Sequence, residues 1–215
     1  MNAEDWKHFL KEIAAAVEGK KDELSELDRN LGDGDHGVTM SIGWQAVLEK
    51  LNGELKDEQD CGKISMVAGR AFLSAVGSSV GPLYATAFMK GAKAIKGKSE
   101  LSGDDLAEFW MAFVEGVKER GKAEVGDKTM VDTLEPAAKS LKKHYKETGD
   151  FSVAFAEAVI AGEKGMESTK DLVSQKGRSS RLGERSVGHV DPGAASSYLI
   201  LSTFLEALKT KAAAK

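Results

Sequence analysis

Apolar residues recur along this chain at spacings of three and four, and only three prolines interrupt its 215 residues. Side chains at these spacings fall on one face of an α-helix, whereas a half-buried strand needs apolar and polar residues to alternate. The first such face is formed by Trp6, Phe9, Leu10, Ile13 and Val17. No segment shows sustained alternation. The pattern therefore predicts an all-α fold of roughly nine helices.

The connections between the predicted helices are of two kinds, which alternate along the chain. Four are plain polar loops, at 19–21, 52–56, 96–103 and 147–150. Four others, here called the glycine-rich loops, carry acidic, hydroxyl or basic side chains beside their glycines, at 27–37, 77–82, 121–130 and 177–193. In an up-and-down array of antiparallel helices, every second connection lies at the same end. We therefore expect the four glycine-rich loops to meet.

The first glycine-rich loop brings three carboxylates close together. Asp28 falls on the last turn of a predicted helix, and Asp33 and Asp35 lie on the loop beyond it. Carboxylate oxygens are the ligands that Mg²⁺ prefers, with phosphate and water oxygens completing its shell. The amides that open the next helix, from His36 to Thr39, would favour an anion at the same place. A solvated acidic turn is the plain alternative. An EF-hand fits less well, because the pattern requires other residues where Gly37 and Val38 stand.

The other glycine-rich loops carry groups that suit phosphate or a nucleotide. Ser78 and Ser79 offer hydroxyls and unhindered amides, although such clusters are usually ordinary loops. Arg178 has the guanidinium chemistry that neutralises phosphate charge. Met130 has the apolar, adaptable side chain that packs against a base, and core packing is its alternative.

The loop at 121–130 resembles a phosphate-binding P-loop, but the match fails. A P-loop has its lysine directly after the second glycine and a strand before the first. Here Asp127 separates Gly126 from Lys128, and a predicted helix comes before Gly121. We therefore reject a P-loop.

Composition limits the function classes. With 41% hydrophobic residues, the chain has enough apolar surface for one domain over residues 1–215. The net charge of −4 and the dispersed lysines predict no nucleic-acid partner. The single cysteine, Cys61, is expected to pack in the core. No signal peptide or bilayer-spanning run is recognised, so we expect a cytoplasmic location without membrane partners.

Four motifs, in order along the chain, resemble the nucleotide-binding subunit of the dihydroxyacetone kinase family. They are LGDGDHG at 31–37, GDKTM at 126–130, GERS at 183–186 and DPG at 191–193. Four motifs in sequence are more specific than any one alone. The resemblance covers nearly the whole chain.

The resemblance implies an antiparallel up-and-down barrel of about eight helices, with ADP or ATP held at one end through two Mg²⁺ ions. The metal ligands would be Asp28, Asp33 and Asp35. Arg178 would be catalytic and would also contact the nucleotide. The implied nucleotide contacts are His36, Gly37, Val38, Thr39, Ser78, Ser79, Gly121, Met130, Arg178, Asp191, Pro192 and Gly193. Either serine in the pair at 78–79 could be the phosphate contact.

The resemblance also implies a phosphoryl relay. The bound ADP would receive a phosphoryl group from a phosphotransferase-system phosphoprotein, ultimately from phosphoenolpyruvate, and pass it to dihydroxyacetone on a partner subunit. A homodimer stays open. Three alternatives also stay open: a kinase subunit that consumes ATP, a non-catalytic helical module with an apolar ligand inside and a structural metal, and a dinuclear metal hydrolase.

Overall fold

A computed structural model describes residues 1–213, and within them the prediction of an all-α fold is confirmed. Nine α-helices are present: α1 Ala3–Gly19, α2 Lys21–Arg29, α3 His36–Asn52, α4 Cys61–Ala75, α5 Val80–Ala94, α6 Gly103–Gly121, α7 Met130–Thr148, α8 Phe151–Ser168 and α9 Pro192–Ala213. Two 3₁₀ segments, Thr169–Asp171 and Arg178–Ser186, lie between α8 and α9.

The helix starts follow local capping rules. Before α7, Thr129 accepts a hydrogen bond from the helix while the Asp132 side chain reaches back to the Thr129 amide, which completes a capping box. At α9, Asp191 Oδ2 accepts the amide of Ala194 at 2.8 Å and Pro192 is the first helical residue. This start was predicted from the sequence.

Two boundaries differ from the prediction. Helix α5 begins at Val80, two residues before the predicted start at Pro82. Gly81 permits the earlier start, because a Cβ there would lie 2.5 Å from the carbonyl oxygen of Val76. Helix α8 ends at Ser168, well before the predicted end near Lys176. Hydroxyls of its last turn bond to backbone carbonyls, as when Thr169 Oγ1 donates to Met166 O at 2.6 Å, and the chain tightens into a 3₁₀ turn.

Contacts between helices close a ring. Each helix from α3 to α9 contacts the next, α1 contacts α3, and α9 returns to α1. The short helix α2 packs outside this sequence of eight, against α3 and α9. A closed ring of eight long helices fits the predicted barrel.

Aromatic side chains fill the interior of the ring. Trp6 of α1 contacts Phe109 of α6 with ring centroids 4.8 Å apart, and Phe9 contacts Phe204 of α9 at 4.6 Å. Edge-to-face pairs of this kind add stability beyond the area that they bury. Cys61 is fully buried in the same core, as predicted, and burial raises the pKa of its thiol to about 11. Across residues 1–213, every helix is too short or too polar to cross a membrane.

We expect Gly116→Ala to lower the free energy of unfolding by about 1–3 kcal/mol, because an added methyl group would overpack the contact between α5 and α6. A Cβ at Gly116 would lie 2.9 Å from both Ala87 Cα and Thr86 O. Urea unfolding followed by circular dichroism measures the change. Gly19→Ala is the matched control, because a Cβ there meets nothing within 4 Å. Equal stability of the two variants would contradict this packing.

Candidate functional site

The four glycine-rich loops meet at one end of the ring, as their alternation predicts, and line a cleft of about 550 Å³. Each loop contributes to the lining, for example through Asp33, Ser78, Gly121 and Arg178. Clefts of this size accommodate small molecules and cofactors. The ring thus brings together residues that lie far apart in the sequence, from Asp28 to Gly193.

The first glycine-rich loop, 27–37, here called the acidic loop, places three carboxylates around one point of the cleft. Asp28, Asp33 and Asp35 each offer an oxygen, and these oxygens lie within 4.8 Å of one another. Asp28 is half-buried, and Asp33 and Asp35 are exposed. Like charges at this separation repel, and a hard cation would relieve that repulsion. The donor set, three carboxylates open to solvent, fits Mg²⁺.

Asp28 also shapes the loop that carries the other two acids. Its Oδ2 accepts the amide of Asp35 at 2.9 Å and that of His36 at 3.2 Å. A Cβ at Gly32 would lie 2.6 Å from Asp28 Oδ1, so only glycine lets the chain pass this closely.

The first turn of α3 offers fewer free amides than we expected. The amide of His36 is bonded to Asp28, and that of Thr39 donates to Asp35 O at 2.8 Å. Within residues 1–213, the amides of Gly37 and Val38 have no hydrogen-bond partner. The Val38 side chain is 47% exposed and lies outside the cleft lining, so any ligand contact there is through the backbone. Gly37 packs on α2, where a Cβ would lie 1.8 Å from Lys21 O.

The serine pair belongs to the second glycine-rich loop, 77–82. Both Ser78 and Ser79 line the cleft. Ser79 is exposed, whereas Ser78 Oγ is buried and, among the described residues, has no hydrogen-bond partner. Buried hydroxyls are normally bonded. The geometry therefore favours Ser78 as the serine that needs a further partner.

One wall of the cleft is apolar. It is formed by Leu83, Val117, Ala123, Met130 and Val131. Met130 belongs both to this wall and to the hydrophobic core, so the two roles considered for it are compatible. A wall of this kind suits a flat aromatic base.

A buried polar network supports the floor of the cleft. His36 Nε2 lies 3.0 Å from Ser196 Oγ, which lies 2.9 Å from the hydroxyl of Tyr84. Burial lowers the pKa of His36 to about 4 and raises that of Tyr84 to about 12, so both are neutral near pH 7. The network joins α3, α5 and α9 beneath the cleft.

Arg178 reaches the acidic loop from the segment between α8 and α9. Its guanidinium forms an ion pair with Asp33, and its side chain is 62% exposed. Gly177, just before it, has a φ of 68°, which favours glycine. Arg181 and Arg185 are exposed on the same 3₁₀ segment and lie outside the cleft lining.

The start of α9 closes the site. Asp191, Pro192 and Gly193 all line the cleft, and a Cβ at Gly193 would lie 3.0 Å from Asp191 Oδ2. Burial raises the pKa of Asp191 to about 7; Asp132 raises it further, and Lys128 opposes the shift. Of the predicted site residues, only Gly37 and Val38 lie outside the lining.

The sequence of this chain is similar to those of known proteins over most of its length. Residues 30–206 match the DAK2 domain. The chain is 39% identical over 202 residues to the PEP-dependent dihydroxyacetone kinase 2, ADP-binding subunit DhaL, of Listeria innocua, covering 94% of this chain and 93% of that protein. It is 35% identical over 198 residues to the PTS-dependent dihydroxyacetone kinase, ADP-binding subunit DhaL, of Lactococcus lactis, with 92% and 94% covered. The chain belongs to the dihydroxyacetone kinase ADP-binding subunit family.

A solved structure shows the same fold. The dihydroxyacetone kinase of C. freundii in complex with AMP-PNP and Mg²⁺ superposes with a TM-score of 0.71 at 22% identity. The match covers 93% of this chain and 33% of that one. This chain therefore shares its fold with about one third of the larger kinase.

Several lining residues of this DAK2 domain were missed by the sequence analysis. Arg120, Lys128, Thr129 and Lys176 all line the cleft. Lys128 was set aside with the rejected P-loop, yet it is only 1% exposed. The capping pattern of Thr129 and Asp132 is the local signal that places Lys128 directly before a helix at the cleft.

We expect Asp191→Asn to change how stability depends on pH. The folded-state pKa of Asp191, about 7, lies above its ordinary value of 3.8, so its contribution to stability is present below 3.8 and is lost as the pH rises through 7. The unfolding free energy of the wild type should fall by on the order of 4 kcal/mol relative to the variant over this range. Urea unfolding of nucleotide-free protein at several pH values measures the difference. Asparagine keeps an oxygen for the Ala194 amide, and parallel pH profiles would contradict the raised pKa.

Proposed function

We propose that the chain is the ADP-binding subunit of a dihydroxyacetone kinase that relays phosphoryl groups. The bound nucleotide receives a phosphoryl group from a phosphotransferase-system phosphoprotein, ultimately from phosphoenolpyruvate. It then passes that group to dihydroxyacetone held on a partner subunit. Two relatives are named PEP-dependent and PTS-dependent dihydroxyacetone kinase subunits, which supports this donor.

One observation carries the proposal: a cluster of three carboxylates, an opposing arginine and an apolar wall share one cleft. The carboxylates suit metal ions, the arginine suits phosphate, and the wall suits a base. A nucleoside diphosphate with its metal ions combines all three chemistries in one ligand.

Each part of the cleft has a role in this proposal. Asp28, Asp33 and Asp35 would hold two Mg²⁺ ions, which when bound neutralise charge on phosphate oxygens. The amides of Gly37 and Val38 and the hydroxyl of Ser78 or Ser79 bind phosphate oxygens. The remaining contacts carried over from the family are His36, Thr39, Gly121, Met130, Asp191, Pro192 and Gly193.

Arg178 is the proposed catalytic residue. Its guanidinium lies on the exposed side of the cleft, where an incoming phosphoryl group would arrive, and it stabilises charge that develops during transfer. The pairing with Asp33 shows that the side chain reaches the acidic loop. Arg181 and Arg185, exposed on the same segment, are proposed contacts for the partner proteins.

The other readings are less well supported. A module that holds an apolar ligand inside the ring is disfavoured because buried aromatic side chains, such as Trp6 and Phe109, occupy that interior. A subunit that consumes ATP would use the same cleft, and the nucleotide content of the purified chain distinguishes it from a relay subunit. A single domain over residues 1–215 and a cytoplasmic location are part of the proposal, and a homodimer stays open.

The deciding experiment is the nucleotide content of the purified chain. The protein is passed through gel filtration in Mg²⁺ buffer without added nucleotide, denatured, and assayed for released adenine nucleotide. Near-stoichiometric ADP is expected for a relay subunit. Little ADP with binding restored by ATP and Mg²⁺ would indicate an ATP-consuming kinase, and no binding would overturn the proposal.

We expect Asp33→Asn to abolish ADP retention while the helical fold stays intact, because the change removes a metal-binding charge without changing side-chain size. ADP content and circular dichroism are measured on the same preparation. Asp57→Asn is the matched control, since Asp57 is exposed in a polar loop outside the cleft lining. Unchanged ADP content in a folded Asp33→Asn protein would contradict the metal assignment.

A further inference from the structure

We propose that Lys128 is a positioning residue, which ties together the two ends of the segment 169–189 and so holds Arg178 over the cleft. The consequence for nucleotide retention rests on the proposed function above. The tie itself is a property of the fold and can be tested separately.

The ammonium of Lys128 makes three hydrogen bonds, all to backbone carbonyls. Nζ donates to Thr169 O at 2.6 Å, to Ser186 O at 2.7 Å and to His189 O at 2.6 Å. An ammonium has three hydrogens, so its donor capacity is fully used. Lys128 lines the cleft, but it has no donor left for a phosphate and acts through the protein.

The three carbonyls meet at one ammonium where the two ends of the segment 169–189 come together, and this point is here called the neck. Thr169 lies where the chain leaves α8, and Ser186 and His189 lie where the chain returns toward α9. Arg178 lies between them in the sequence, on the part of the chain, here called the excursion, whose two ends meet at the neck. Removing the ammonium would leave Ser186 O and His189 O without their donor, and Thr169 O with only the amide of Leu172, at 3.3 Å.

Few other bonds hold the neck. The amide of Gly188 donates to Lys170 O at 2.7 Å, and that of Asp191 donates to Thr169 Oγ1 at 3.0 Å. Within the excursion, Ser174 N donates to Ser186 Oγ at 2.9 Å. These are single neutral hydrogen bonds, whereas Lys128 supplies three from one charged group, and bonds to charged groups are the stronger kind.

The backbone conformation and the burial of Lys128 are both energetically unfavourable. Its φ of 61° is left-handed, which is unfavourable for a residue with a side chain. Its burial lowers the pKa of the ammonium, while Asp191, Asp171 and Asp132 favour the charged form. Strained and buried arrangements persist where surrounding bonds over-determine them. The three carbonyls supply those bonds.

The experiment compares Lys128→Met with Lys7→Met. Lys7 is the matched control because it is also buried, at 3% exposure, and donates to a backbone carbonyl, that of Lys56, at 2.7 Å. Lys56 lies in a polar loop outside the cleft lining. Both variants lose a buried ammonium, but only Lys128→Met loses the hydrogen bonds that close the neck.

Two readouts are taken on each folded variant. The first is the rate of trypsin cleavage after Arg178, Arg181 and Arg185 in nucleotide-free protein, with the sites identified by mass spectrometry. The second is the rate of ADP release. We expect Lys128→Met to raise both rates at least about tenfold over Lys7→Met, because three charge-assisted hydrogen bonds at the neck are lost and two carbonyls lose their donor.

Equal cleavage in the two methionine variants would overturn the positioning role. Faster cleavage with unchanged ADP release would overturn the link to the cleft. If the wild type holds no ADP, the proposed function fails, and the cleavage rates still decide whether Lys128 closes the neck. If Lys128→Met does not fold, Lys128→Arg replaces it, because a planar guanidinium cannot direct three bonds to converging carbonyls. Cleavage of that variant at the wild-type rate would also overturn the role.

Discussion

The burial of one apolar face on each long helix is the constraint on which the rest of this structure depends. A helix with an apolar stripe must pack that stripe against other helices, and eight of them do so around a shared aromatic interior. The ring that results returns α9 to α1. Because consecutive helices run in opposite directions, alternate connections reach the same end, and that end becomes the cleft.

The packed ring makes an unfavourable charge arrangement tolerable. Asp28, Asp33 and Asp35 are held close enough to repel, and Asp28 is stabilised by two backbone amides. On the other side of the cleft, Arg178 lies on an excursion that is closed by the buried ammonium of Lys128. The acidic side lies on the loop between α2 and α3, and the ammonium of Lys128 ties together the two ends of the segment that carries the basic side. A site for a metal–phosphate ligand needs both signs of charge at fixed positions.

Much of this arrangement was predictable from local patterns. Apolar spacing gave the helices, the order of the loops gave their meeting point, and Asp191 with Pro192 gave the start of α9. Helix boundaries that depend on close packing were not predictable. The start of α5 is an example, because it depends on how closely Gly81 approaches the carbonyl oxygen of Val76. The number of free amides at the start of α3 was also overestimated, since the bonds that the amides of His36 and Thr39 donate to Asp28 and Asp35 depend on how the loop folds back.

The sequence by itself determined the helical class, the family resemblance and the residue types of the site, because periodicity and motif order are properties of the chain alone. Only the tertiary structure decided the role of Lys128 and the difference between Ser78 and Ser79. It also decided the buried hydrogen-bond network of His36, Tyr84 and Ser196. The physical reason is that burial and hydrogen-bond partners are set by segments far apart in the chain, and no local pattern records which of them will meet.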